Sequence, residues 1–259
     1  MTDRIQARAL RRAPVVRGAA VEAVTLAVLL VAYLWVRQLA QGQDLVAESN
    51  AARVWTLERL IGLPDETRVQ AWALSWPPAA RFANLYYVGV HFPGTAAAMV
   101  WLFVRHRAAY SRVRAELVVL TAAGLALHVV LPLAPPRLAG VGAVDTMLSV
   151  GPSAYPAAGE GVANQYAAMP SLHVGWALLV AVAVIRAGTS PARRLVVLHP
   201  LLTTFTVVVT ANHYWLDAVA AALLLAAAVQ VAGRWSRPEE EARRTALGCV
   251  RAEDRPPGR

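Results

Sequence analysis

The sequence predicts an all-α membrane protein, a bundle of six transmembrane helices with amphipathic interfacial helices on the outer face. Apolar residues make up 57% of the 259 residues and charged residues only 16%, against about 45–50% and about 25% in soluble chains. Six apolar stretches approach the length of about 20 residues that a helix needs to cross a bilayer. Arginines are concentrated on alternate connections between these stretches. The chain is therefore expected to be an integral membrane protein.

The predicted spans cover residues 19–40, 82–104, 115–133, 172–186, 195–211 and 214–232. The first follows a basic stretch, as a signal peptide would, but its apolar run is too long and no small-residue cleavage site follows. We therefore expect an uncleaved anchor. With a cytoplasmic N-terminus, 19 of the 25 arginines fall on cytoplasmic segments, as the positive-inside rule requires. Both termini are then cytoplasmic, and the lysine-free, alanine-rich composition suits a bacterial plasma membrane.

The chain divides into a basic cytoplasmic N-terminus at 1–18, an anchor helix with an outer amphipathic segment at 19–81, a membrane domain at 82–232, and a charged tail at 233–259. The tail is predicted to be disordered and cytoplasmic. The outer segment alternates Val54 and Leu57 with Glu58 and Arg59 at helical spacing. This pattern predicts helices lying at the interface, with a packed extracytoplasmic cap as the alternative.

Other features of the composition carry less weight. The net charge of +9 comes entirely from arginine, which indicates coding bias rather than a nucleic-acid partner. The single cysteine, Cys249 in the tail, forms no internal disulfide. Protein partners are not predicted.

Ionisable residues near the outer ends of the spans are the candidate functional groups. His173 follows Pro170 and Ser171 at the start of a predicted helix, and a helix N-terminus of this kind favours anions. His213 and Asp217 are four residues apart and share a helix face. The carboxylate can accept one imidazole N–H, which leaves the other nitrogen as a nucleophile or base. Arg137 is the only arginine in the breaker-rich loop 134–170.

These residues suit phosphoryl transfer without a metal ion or other cofactor. Arg137 and the helix N–H groups would hold phosphate oxygens, His213 would attack phosphorus, and His173 would protonate the leaving oxygen. The same histidines with Asp217 could instead hold a metal, although a phosphate-bridged metal centre usually has more carboxylates. A serine protease dyad of Ser171 and His213 is disfavoured because the surroundings lack glycine.

His91 and His128 lie in the outer halves of their predicted spans. A histidine within a membrane commonly forms a hydrogen bond between helices, and these two are also candidates to border the cavity that contains His173 and His213. A non-catalytic transporter or lipid-binding scaffold is the alternative to an enzyme. It predicts that His173, His213, Asp217 and Arg137 are dispersed rather than gathered at one cavity.

The motifs resemble those of the phosphatidic acid phosphatase type 2 superfamily. That family's second motif is Pro-Ser-Gly-His, and residues 170–173 match it except for Leu172. Its third motif ends in His-x-x-x-Asp, which His213 and Asp217 match. Its first motif ends in Arg-Pro after a lysine, whereas Leu138 follows Arg137 and Val130 replaces the lysine. The usual Ser-Arg of its third motif is Thr206-Val207 here.

Residues 134–138, the run 164–173 and His213-Tyr214 resemble the inositolphosphotransferase branch, which includes inositol phosphorylceramide synthases. The resemblance covers roughly 82–232 and implies a lipid phosphatase or phosphotransferase that acts on a lipid phosphate in the bilayer. It implies a nucleophile at His213, an orienting partner at Asp217, an acid at His173, and phosphate ligands at Arg137 and Ser171. Asn164 and Tyr166, within the matching run, are further candidates to line the cavity.

Overall fold

The structure, a computed structural model, describes residues 2–39, 42–151 and 165–253. Over these ranges it is helical and contains no strand, which confirms the all-α class for this part of the chain. The helices are α1 Thr2–Leu39, α2 Asp44–Leu60, α3 Glu66–Ser75, α4 Pro77–Gly89, α5 His91–Arg105, α6 Arg107–Val130, α7 Thr146–Ser149, α8 Leu172–Ala187, α9 Leu198–Val209 and α10 Trp215–Glu253, with a 3₁₀ segment Pro191–Val197 before α9.

Three of the described helical segments are long and apolar enough to cross a bilayer, namely Arg107–Val130, Pro191–Val209 and Trp215–Arg234. Helices α4 and α5 meet at a bend of 42° and together count as a fourth. The apolar helices Ala20–Val36 and Leu172–Ala187 are shorter. The structure is therefore compatible with an integral membrane protein, and the six-helix bundle stays a prediction.

Helix α8 occupies the centre of the helix packing, where it contacts α5, α6, α9 and α10. Its apolar side chains point in all directions, as expected for a helix surrounded by others. At its N-terminal end it approaches α6 closely, because a Cβ atom on Gly124 would lie only 2.6 Å from Cδ2 of Leu172. Glycine at this position thus allows the start of α8, which carries His173, to lie against α6.

The amphipathic helix α2 presents its apolar side outward. Leu57, Leu60 and Ile61 are 47%, 78% and 57% exposed, whereas Glu58 is fully buried. A water-exposed amphipathic helix would show the reverse arrangement. The apolar exposure of α2 agrees with contact to lipid, although its placement at the membrane interface stays a prediction. Among its charged residues, Glu58 faces the rest of the protein, whereas Asp44, Glu48 and Arg53 are exposed.

Backbone hydrogen bonds join four distant segments beside the N-terminus of α10. The Leu133 N–H donates to the Tyr166 carbonyl at 2.9 Å, and the Ala134 N–H donates to Ala47 of α2 at 3.1 Å. The Arg137 N–H donates to the Ala211 carbonyl at 3.1 Å. These bonds fix the loop that carries Arg137 against the loop between α9 and α10, so Arg137 lies near His213.

Candidate active site

His213 precedes α10 and is oriented through one ring nitrogen. Its Nδ1 lies 2.7 Å from the carbonyl oxygen of Ala168 and 3.1 Å from Oδ2 of Asp217. Both partners are hydrogen-bond acceptors, so Nδ1 must carry the proton and Nε2 has the free lone pair. The Asp217 carboxylate is fixed in turn, because its Oδ2 accepts the Tyr214 N–H at 2.9 Å.

His213 is neutral over most of the pH range. Burial lowers the pKa of its imidazole to about 4, the Ala168 carbonyl opposes this shift, and the positive charge of Arg137 adds to it. A neutral imidazole with Nε2 unprotonated is the form that can attack an electrophile.

Arg137 is held by two polar side chains. Its Nε donates to Oδ1 of Asn212 at 3.0 Å, and its Nη1 lies 3.4 Å from Oδ2 of Asp145. Asp145 also caps α7 by accepting the Met147 and Leu148 N–H groups. These contacts fix the guanidinium with a side-chain exposure of only 6%. A fixed arginine of this kind binds phosphate oxygens without first losing the entropy of a mobile side chain.

The loop that carries Asp145 is anchored on both sides by amide side chains. Gln70 of α3 donates to the Val144 carbonyl at 2.8 Å and accepts the Val144 N–H at 2.7 Å. Asn84 of α4 donates to the Thr146 carbonyl at 2.8 Å. Helices α3 and α4 therefore determine the position of Asp145 and, through it, the position of Arg137.

His173 lies in the first turn of α8, where its ring approaches both His213 and Tyr87. The ring centroids are 5.9 Å from His213 and 4.6 Å from Tyr87. Ser171 is the N-cap of this helix, and its buried hydroxyl accepts the Val174 N–H. Capping by Ser171 thus fixes the helix start that brings His173 beside His213.

A cavity of about 120 Å³ brings the predicted groups together. Arg137, His173 and His213 all line it, and Asp217 lies behind His213 at hydrogen-bond distance. The remaining lining residues are Tyr33, Tyr87, His128, Pro135, Gln165, Ala167, Ala168, Leu172 and Asn212. A histidine with a free Nε2, a second histidine and an arginine around one small cavity are groups that can bind and transfer a phosphoryl group.

Comparison with protein families supports the same chemistry. A family model described as PAP2 superfamily matches residues 52–231. The chain belongs to the PAP2 superfamily. Comparisons with curated proteins and with solved structures gave no match. Membership in the PAP2 superfamily indicates a phosphatase or phosphotransferase activity on lipid phosphates.

The remaining predicted residues of this PAP2 protein differ in whether they line the cavity. His128 lines it and its Nε2 donates to the Pro170 carbonyl at 3.0 Å. His91 is not among the lining residues, but its ring lies 5.0 Å from that of His173. Tyr166 contributes its carbonyl to Leu133, and its side chain is not among the lining groups. Ser171 is fully buried and also does not line the cavity. Asn164 lies outside the described residues.

Several polar groups of the PAP2 site were not among the predicted residues. Asp145 and Asn212 fix Arg137, and the carbonyl of Ala168 fixes His213. Asn212 could have been noticed because it directly precedes His213, and Asp145 because Asp-Thr is a typical helix start. The carbonyl of Ala168 has no signal in the sequence, since every residue has such a group.

Proposed function

We propose that this PAP2 protein transfers or hydrolyses the phosphoryl group of a lipid phosphate through a phosphohistidine on His213, without a metal ion. The observation that supports this most directly is the hydrogen-bonding of His213. Two acceptors hold its Nδ1–H, so Nε2 is an unprotonated nucleophile beside a cavity that Arg137 and His173 also line. A scaffold or transporter does not require such a tautomer, and the convergence of these groups favours the enzyme.

The proposed reaction has two steps. Nε2 of His213 attacks phosphorus, the bond from phosphorus to the leaving oxygen breaks, and protonated His173 gives its proton to that oxygen. Arg137 stabilises the charge that develops on the phosphoryl oxygens. Water or an alcohol then attacks phosphorus, His173 takes its proton, and the N–P bond breaks to restore His213. Asp217 keeps the imidazole oriented throughout, and Ser171 stays a proposed phosphate ligand.

The size of the cavity supports a lipid headgroup as substrate. A typical small-molecule pocket has about 300–1,000 Å³, whereas this cavity has about 120 Å³. Only the phosphate end of a lipid enters it, and the chains stay outside among the apolar helices. The resemblance of residues 164–173 to the inositolphosphotransferase branch supports an alcohol as one acceptor, with water as the other. We further propose a bacterial plasma-membrane location, cytoplasmic termini, and a catalytic membrane domain at 82–232 that faces the extracytoplasmic side.

The test is phosphorus NMR of the products formed by purified protein in detergent with EDTA present. The substrates are phosphatidate, polyprenyl phosphates and diphosphates, and phosphatidylinositol, each with and without inositol as acceptor. Inorganic phosphate as product identifies hydrolysis, and a new phosphodiester identifies transfer. A product that forms without EDTA but not with EDTA would contradict the metal-independent mechanism.

Two variants make the test specific to the nucleophile. His213→Ala should lose turnover, whereas His106→Ala, a half-buried histidine between α5 and α6, should keep it. Mass spectrometry at neutral pH should detect a phosphoryl group on His213 after rapid quenching. Retained turnover in His213→Ala would rule out the covalent mechanism.

A further inference from the structure

Three buried carboxyl groups surround the N-terminus of α10. Asp217 is the partner of His213, and Glu58 of α2 and Glu66 of α3 lie behind it. Their exposed fractions are 0%, 0% and 1%. Buried carboxyl groups are rare unless each is paired. The two glutamates are not among the residues that line the cavity, and the reaction described above does not use them.

Glu58 contacts the first turn of α10 directly. Its Oε1 accepts the Leu216 N–H at 2.7 Å, while Oδ2 of Asp217 accepts the Tyr214 N–H at 2.9 Å. The first N–H groups of a helix have no partner within the helix. Two of them are therefore satisfied by two carboxyl groups, one from α2 and one from α10 itself. Through this contact Glu58 fixes the turn that carries Asp217.

The charges in this cluster do not balance if every carboxyl group is ionised. The guanidinium of Arg59 lies 3.1 Å from Oε2 of Glu66, 3.4 Å from Oδ1 of Asp65 and 3.8 Å from Oε2 of Glu58. The single positive charge of Arg59 therefore faces three carboxyl groups. Glu58 lies in hydrogen-bonding contact with Glu66. Among the described residues, Oε2 of Glu58 and Oε1 of Glu66 have no donor. A proton on one of the two carboxyl groups would supply the missing hydrogen bond.

The proton belongs on Glu58 rather than on Glu66. Nη2 of Arg59 is within hydrogen-bond distance of Oε2 of Glu66, at 3.1 Å, but lies 3.8 Å from Oε2 of Glu58. The hydrogen bond that Glu58 accepts comes from the Leu216 N–H. The pKa of Glu58 is raised to about 9, first by burial and then by the contact with Glu66, while the Leu216 N–H opposes the shift. The titratable and charged groups that face Glu58 are Arg59 on its own helix, Glu66 of α3, and Tyr214 and Asp217 at α10.

We propose that Glu58 is a protonated positioning residue that donates a hydrogen bond to Glu66 and accepts one from Leu216. In this state it holds the N-terminus of α10 without placing a second negative charge behind Asp217. The outer helices α2 and α3 are then part of the active-site framework. The effect on catalysis rests on the proposed function, but the protonation state of Glu58 does not.

Two substitutions at Glu58 separate the hydrogen bonds from the charge. Glu58→Gln keeps an acceptor for the Leu216 N–H and a donor for Glu66, so kcat/KM at pH 7 should stay within about twofold of wild type. Glu58→Leu removes both bonds and should reduce kcat/KM by about 10- to 100-fold. The control is Glu48→Gln, an exposed glutamate on the same helix, which should have no effect. A large loss in Glu58→Gln, or none in Glu58→Leu, would overturn the proposal.

The pH profile distinguishes positioning from a purely structural role. In wild type, kcat/KM should fall above about pH 9, because ionised Glu58 then repels Asp217 and Glu66. In Glu58→Gln this group cannot ionise, so the fall should disappear or move to higher pH. An alkaline fall that is the same in both proteins would contradict the proposal.

Infrared difference spectroscopy tests protonation without any activity. The C=O stretch of a protonated carboxyl group is separate from the carboxylate bands. Wild type at pH 7 should show such a band that Glu58→Gln lacks and Glu48→Gln keeps. If no lipid is turned over but the band is present, the proposed function fails and the protonated Glu58 stands. If the band is absent from wild type, the proposal for Glu58 is wrong whatever the activity.

Discussion

Replacement of Asp217 by asparagine separates two roles that an aspartate beside a catalytic histidine usually combines. One role is to fix the tautomer, and the other is to stabilise the positive charge that the imidazole acquires. In this site the Ala168 carbonyl also accepts the Nδ1–H of His213, at 2.7 Å compared with 3.1 Å for Asp217. Asp217→Asn removes the charge but leaves this carbonyl in place. The tautomer should therefore be preserved.

The expected loss follows from what is removed. A hydrogen bond to a charged group contributes about 1.5–3 kcal/mol, and about 1.36 kcal/mol corresponds to a tenfold change. Asp217→Asn should thus reduce kcat/KM by about 10- to 150-fold. Where one aspartate alone fixes the tautomer, the same substitution costs about 10⁴-fold. The difference between these values measures the contribution of the Ala168 carbonyl.

The assay is kcat/KM by phosphorus NMR with the lipid phosphate that wild type turns over best, together with ¹⁵N NMR of labelled histidine. The ¹⁵N shifts should show His213 protonated at Nδ1 in both proteins at pH 7. A loss of about 10⁴-fold with a changed tautomer would refute the role assigned to Ala168. A loss below about threefold would show that the charge of Asp217 does not act on the reaction. Thermal unfolding of both proteins controls for misfolding.

Three further predictions follow from the site. Burial lowers the pKa of His213 to about 4, so its imidazole takes up a proton only as the pH falls through that value. The pH profile of kcat/KM should therefore show no loss from this group between pH 7 and 5. A fall with an apparent pKa near 6.5, absent from the pH profile of substrate binding to His213→Ala, would contradict this. Arg137→Ala should reduce kcat/KM by about 10²–10³-fold because a fixed donor to the phosphoryl oxygens is removed, with steady-state kinetics as the measurement and a loss below tenfold as the contrary result. His91 is buried, and neither ring nitrogen has a hydrogen-bond partner among the described residues. His91→Phe should therefore increase the free energy of unfolding by about 1 kcal/mol. A lower Tm of the variant in a detergent unfolding scan would show that the ring is hydrogen-bonded.

The residues that sequence reasoning could predict are those whose geometry depends on local spacing. His213 and Asp217 are four positions apart, and a contact between such residues follows from helical geometry. The structure has this contact, although the helix begins only at Trp215 and His213 lies just before it. The grouping of Arg137, His173 and His213 depended on the predicted topology of the spans, with the family resemblance as further support, because no local rule connects residues so far apart.

The residues that could not be predicted depend on lipid or on the backbone. Glu58 is part of the alternating pattern that predicts an interfacial helix, but that pattern does not show that Glu58 is fully buried while Leu57 is exposed. The rule that polar residues face outward holds in water and is reversed where the surroundings are apolar. The six spans were predicted from hydropathy alone, which cannot detect that the second is bent by 42° between α4 and α5. Neither can it detect that α8 has only 16 residues.

The contact between Glu58 and the first turn of α10 has a consequence for the order in which the protein assembles. The two residues that form it are 158 positions apart, and Gln70 and Val209 are 139 apart. Contacts between such distant residues form late, because the intervening chain must first be ordered. During synthesis, α2 and α3 emerge before α10, so the hydrogen bond from the Leu216 N–H to Glu58 cannot form until α10 is present. The protonated state proposed for Glu58 therefore belongs to the completed fold, and a chain arrested before α10 lacks Asp217 and the Glu58 contact.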